Sequence, residues 1–196
     1  MDISNLNQAE VNTRRKHSKS EVVMMVIVFV VCFIFCFGLF LEQSPVIPVL
    51  AATAGDWDRK SFWYEPWGKS GVHKGIDIFA RKGAAVLAAT SGLVIYRGES
   101  ALGGKVAWIL GPKWRLHYYA HLDSISVNPG QWVIIGRTIG KVGDTGNARG
   151  KPPHLHYEIL SLIPDASGYS SGTQGWKRMF YLNPDEILRV DNEKRR

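Results

Sequence analysis

Residues 150–160 read GKPPHLHYEIL and place His154 and His156 two positions apart. On a strand, residues i and i+2 point to one face. The two imidazoles would then project together, opposite Leu155 and Tyr157. Such a pair suits a metal ligand beside a proton-handling group, although one H-x-H alone is a weak signal. A second cluster is HKGID at 73–77. His73 and Asp77 would lie about 13 Å apart on a straight strand, too far to share an ion. The chain must therefore turn between them, and Gly75 permits that. Two histidines and a carboxylate form a three-ligand zinc set that leaves a fourth position open to water. The third cluster is RLHYYAHL at 115–122, with His117 and His121 four apart on a predicted strand and so facing the same way. One could shuttle protons; a satisfied structural role is favoured for His117.

Positioning these groups falls to short apolar runs divided by glycine. Strands are expected at 85–89, 93–96, 106–110, 116–121, 131–135, 139–142 and 154–160. Ser91-Gly92, Gly103-Gly104, Asn128-Pro129-Gly130 and Gly143-Asp144 supply turn chemistry between them. This predicts a mainly β protein, an antiparallel sheet or sandwich. One short helix follows, with Asn183 as its cap and Pro184 at its first position. Residues 161–179 form a long polar loop rich in Gly and Ser, of a kind that is either functional or disordered.

The 20 residues 22–41, VVMMVIVFVVCFIFCFGLFL, carry no charge. At about 1.5 Å per residue they span about 30 Å, the thickness of a bilayer core. Arg14, Arg15, Lys16 and Lys19 precede the run, and no basic residue follows until Arg59. The positive-inside rule then puts the N-terminus in the cytoplasm and the remainder across the cytoplasmic membrane, in the periplasm if the host is Gram-negative. A cleaved signal peptide with a site near Ala52 and Ala54 is the competing reading, but the apolar run exceeds the usual h-region. The expected organisation is a cytoplasmic tail at 1–21, a transmembrane signal anchor at 22–41, an extended linker at 42–56, a catalytic domain at 57–190 and a polar tail at 191–196. The linker would reach roughly 50 Å at about 3.3 Å per residue.

Both cysteines, Cys32 and Cys36, lie inside the apolar run, so any external metal site must use His, Asp or Glu. Residues 42–196 carry all but one of the +7 net charge. A basic surface suits an anionic wall polymer or membrane, or simply a soluble basic domain. No basic–aromatic pattern specifies nucleic acid.

The motifs HKGID, YYAHL and HLHYE, in that order, resemble those of the lysostaphin-like (LytM-type) zinc endopeptidases of bacterial cell walls. GIDIFARKGAAVLAATSGLVIYRG, VNPGQWVIIGRTIGKVGDTGNA and YLNPDEIL extend the similarity over about Gly71 to Leu188. The resemblance implies Zn2+ held by His73, Asp77 and His156, with His121 and His154 as catalytic histidines. It implies peptidoglycan as the partner and hydrolysis of stem-peptide or cross-bridge bonds as the activity. The alternative is a non-catalytic wall-binding regulator that activates another hydrolase. A regulatory or delivery protein could serve either role. Lys151-Pro152 is extra relative to the commonest version of the pattern. DWDRKSFWYEPWGKS (56–70) matches only loosely, and packing is the expected use of Trp57, Trp63, Tyr64 and Trp67. Glu158 could face the site in a supporting role.

Overall fold

A computed structural model describes residues 18–193. The basic residues at 14–16 and the last three residues of the expected C-terminal tail therefore lie outside the described residues. The chain divides into two units, 1–38 and 39–196. The first holds most of helix α1, Lys19–Phe40, 22 residues long with no buried side chain. Its length and its apolar surface on every side are those of a helix able to cross a membrane.

The second unit is a nine-stranded antiparallel sheet. Its strands are β1 (Ile76–Phe79), β2 (Ala85–Leu87), β3 (Gly92–Ser100), β4 (Gly104–Gly111), β5 (Arg115–Ile125), β6 (Trp132–Val133), β7 (Thr138–Val142), β8 (His154–Ser161) and β9 (Tyr181–Leu182). The main path runs β1-β8-β5-β4-β3-β6, with β7 pairing both β5 and β2, and β9 pairing β8. Helix α2 (Pro184–Glu193) closes the chain. Asn183 caps it as expected: its Oδ1 accepts the Asp185 amide at 3.2 Å.

Period-two alternation divides the sheet into a core face and a cleft face. On β8, Leu155, Tyr157 and Ile159 are fully buried in the core. His154, His156 and Glu158 alternate with them and line a cleft. On β1, Ile76 and Ile78 are buried in the core while Asp77 and Phe79 line that same cleft. The register sets Asp77 opposite His156. Gly75 serves this arrangement by its size. A Cβ there would lie 2.2 Å from the Tyr157 carbonyl oxygen, so only glycine lets β1 start against β8.

Strand β5 departs from the alternation. His117 and His121 do not share a face. His117 is fully buried, with Nδ1 2.6 Å from the Tyr157 hydroxyl and Nε2 2.8 Å from Gln43 Nε2. His121 has φ of 61°, a left-handed value in the middle of a strand. The pairing of β5 with β4 and with β7 shifts register on either side of it. This bulge swings the His121 ring to the side of Tyr118 and Ala120, into the cleft.

His117 is thus structural, and it gives the fold an acid limit. Gln43 Oε1 accepts from Arg115, so the Gln43 amide donates to His117 Nε2 and the neutral ring is fully satisfied. Burial first, and then the Arg115 charge, depress its pKa to about 3. An unfolded histidine titrates near 6.5. Below that value the unfolded chain binds a proton that the folded chain refuses. The contribution is intact above about pH 6.5 and is lost as pH falls toward about 3, reaching about 2 kcal/mol at pH 5. The Tm of His117→Gln should therefore fall less between pH 7 and pH 5 than that of the parent chain.

Residues 42–56 are not an extended linker. Pro45, Pro48 and Val49 are buried, and Val49 joins the core. The Val46 and Leu50 amides donate to the carbonyls of Ala89 and Ala85, and Leu87 donates to Pro48. The two prolines that suggested a linker fit a segment lying beside the edge strand β2, where Val49 bridges Val86. The loop 161–179 is also built into the fold. It forms short 3₁₀ turns at Ala166–Gly168 and Lys177–Phe180, and Gln174 Nε2 donates to the Ser70 carbonyl at 2.8 Å.

Candidate metal centre

Three elements bring His73, Asp77 and His156 together: the turn before β1, β1 itself and β8. His73 Nε2 lies 3.1 Å from Asp77 Oδ1 and 3.0 Å from His156 Nδ1, and the latter is 2.8 Å from Asp77 Oδ1. Their partners on the far side fix the tautomers. His73 Nδ1–H donates to the Ser61 carbonyl at 3.0 Å. His156 Nε2–H donates to Glu158 Oε1 at 2.8 Å. His73 Nε2, His156 Nδ1 and an Asp77 oxygen then aim three lone pairs at one another. Three acceptors this close repel unless a cation sits among them. Separations near 3 Å suit ligands on a zinc ion with bonds of about 2.0–2.2 Å. The chemistry of the donor set therefore fits a zinc ion held by these three residues.

The electrostatics agree. Burial alone would push the Asp77 carboxyl up, but the adjoining His156 and His73 rings hold it well below the usual range. Burial would likewise lower the His156 pKa, but hydrogen bonds to Asp77 and Glu158 and their charges raise it to about 10. The cluster is built to surround positive charge. Glu158 would act on a bound metal through His156, as carboxylates behind zinc-bound histidines do. Glu158→Gln should weaken zinc binding about 10–100-fold, measured by competition with a chromophoric chelator.

His121 and His154 stand beside the cluster, their ring centroids 4.9 Å apart. Each donates its Nδ1–H to a backbone carbonyl, His121 to Thr145 at 2.9 Å and His154 to Pro152 at 2.8 Å. Each so presents a basic Nε2 to the cleft. Thr145 also locks the bulge: its hydroxyl donates to the Leu122 carbonyl and accepts the Lys105 amide. Burial, followed by the charges of His156 and His154, lowers the His121 pKa to about 4, which keeps its ring neutral and proton-accepting at pH 7.

All five residues singled out by type and spacing line one cleft of about 680 Å³, and His117 stands apart from it. Two contributors escape a reading of the sequence. Trp67, assigned to packing, stacks on His73 with centroids 4.1 Å apart, and so braces a ring of the cluster. The carbonyls of Ser61, Thr145 and Pro152 orient three of the imidazoles, and main-chain acceptors leave no mark on residue type. Trp57 does pack: it is buried, with Nε1 donating to Asp185 at 2.9 Å.

The antiparallel sheet has the architecture of a lysostaphin-type domain. The solved catalytic domain of lysostaphin from Staphylococcus simulans superposes with a TM-score of 0.55 at 25% identity, covering 69% of this chain and 95% of that one. Residues 71–167 match the model of Peptidase family M23, and the chain carries a domain of that family. Similar curated proteins differ in what they do. The L-Ala–D-Glu endopeptidase of Bacillus subtilis is 37% identical over 111 residues, 52% of this chain and 34% of that protein. The murein hydrolase activator NlpD of Escherichia coli K12 is 36% identical over 105 residues, 53% of this chain and 27% of that protein. The chain thus spans about a third or less of the length of these two relatives.

Proposed function

We propose that the chain is a membrane-anchored, zinc-dependent endopeptidase that hydrolyses peptide bonds in the stem peptides or cross-bridges of peptidoglycan. The observation that carries this reading is the convergence of three lone pairs from His73, Asp77 and His156 beside two further imidazoles. Zinc at that point would polarise the scissile carbonyl and acidify a water molecule. The rest falls to the chain's own residues. His121 and His154 hold their Nε2 atoms toward the cleft, where one accepts the proton of the attacking water. The ring so charged returns that proton to the leaving amine. The carbonyls of Thr145 and Pro152 keep both rings in register for this work. The apolar helix α1 supports anchoring in the cytoplasmic membrane with the domain outside it.

The second reading is a non-catalytic activator, favoured by the similarity to NlpD. The complete donor set weighs against it, because an activator has no need of three converging ligands and two oriented bases. The test is to incubate zinc-loaded chain with purified peptidoglycan and weigh the released fragments, beside a chelated control. Zinc-dependent loss of cross-linked or stem-peptide fragments supports the endopeptidase. An intact polymer, together with His156→Ala still supporting wall separation in cells, supports the activator.

A further inference from the structure

We propose that Lys74 and Lys177 form a subsite for a substrate carboxylate at the Glu158 end of the cleft. The inference rests on the endopeptidase reading and names its substrate class: peptides bearing a free carboxylate within about two residues of the bond that is cut.

Strand β8 lays out the cleft floor as His154, His156 and Glu158 at successive inward positions, so the Glu158 Cα lies about 7 Å beyond that of His156, on the side away from His154. Both lysines line the cleft there, together with Tyr181. They come from different parts of the chain. Lys74 follows the ligand His73, and its Nζ lies 6.0 Å above the Tyr181 ring. Lys177 opens the 3₁₀ turn 177–180 of the long polar loop. That loop is pinned: Gln174 donates to the Ser70 carbonyl, and Ser70 belongs to the same turn as Trp67, which stacks on His73. Lys177 is therefore held in a fixed relation to the ligands rather than left on a free surface.

The local charges point to an anion. Asp77 and Glu158 are the acidic groups lining the cleft, and both are committed to ligand histidines. Lys74 and Lys177 match them in number. Lys151, at the opposite end, adds a further positive charge. A zinc ion in the cluster would leave the cleft strongly positive, and a neutral peptide would do nothing to relieve it. Carboxylates of peptidoglycan stem peptides have the required charge.

The test uses the full chain in detergent and muropeptides purified in two forms, with free carboxylates and with those carboxylates converted to amides. Binding is measured by calorimetry on the His121→Ala chain, whose slowed turnover leaves the ligand intact over a titration, and kcat/KM on the parent chain. Free carboxylates should bind about tenfold tighter than amides, the worth of one charge-assisted contact. Lys74→Gln with Lys177→Gln should abolish that preference and leave amide binding unchanged. Lys177→Gln alone, at a partly exposed loop position, should remove part of it should the double variant misfold. An undiminished preference in folded variants, or none in the His121→Ala chain, overturns the subsite. Preference in binding without cleavage of either form would keep the subsite and remove the endopeptidase. Cleavage without preference would do the reverse.

Discussion

His121→Ala should lower kcat by about 10²–10⁴-fold while leaving zinc stoichiometry at one. His121 touches none of the three converging lone pairs. Its ring enters the cleft because the backbone adopts φ of 61° at a bulge, and the Thr145 carbonyl fixes its tautomer. Alanine keeps the bulge bonds through the main chain, since the His121 amide still donates to Gly103. The loss should therefore fall on proton transfer alone. His156→Ala should behave differently. It removes one of three ligands and leaves Asp77 and Glu158 buried without their shared partner, so zinc binding and hydrolysis should disappear together. Metal analysis beside a muropeptide assay separates the two outcomes. Equal zinc loss in both variants would make His121 part of the ligand set rather than a base.

A chain truncated to begin at residue 55 should be far less stable than one beginning at residue 39. The truncation removes Val49 from the core, worth about 1.5–3 kcal/mol. It also removes three backbone hydrogen bonds to the β2 segment, at about 1 kcal/mol each. The Gln43 amide that satisfies His117 goes with them. A total of the order of 5 kcal/mol approaches the whole stability of many domains. Thermal melts should show a Tm lower by at least 10 °C, or no cooperative transition. Equal melting points would return the segment to the status of a linker. Proteolytic release near Ala54 would for the same reason yield a damaged domain.

Much of the site was legible because it depends on period two. The alternation of His154, Leu155, His156 and Tyr157 sorts rings from core residues, and the sheet obeys it. The face of His121 was not legible, because a non-glycine residue in the left-handed region breaks the alternation without any sign in residue type. The packing of 42–56 was hidden for a related reason. Pro45 and Pro48 look the same in a free linker and beside an edge strand, and only the distant β2 distinguishes them. Trp67 belongs with these: its contact with His73 closes across a turn whose shape local spacing does not fix. Seven of the nine strands were found within a few residues, since glycine turns bound them, whereas β1 and β9 were not. The run at 131–135 shrinks to Trp132–Val133 because it pairs only with the start of β3.

The three converging lone pairs also set an exchange of ions. Without metal, the cheapest cation for that space is a proton on His156, which is held up to about 10. Zinc uptake must then expel that proton into solvent. The apparent affinity should therefore rise with pH, so that acidification favours return of the metal to the surroundings.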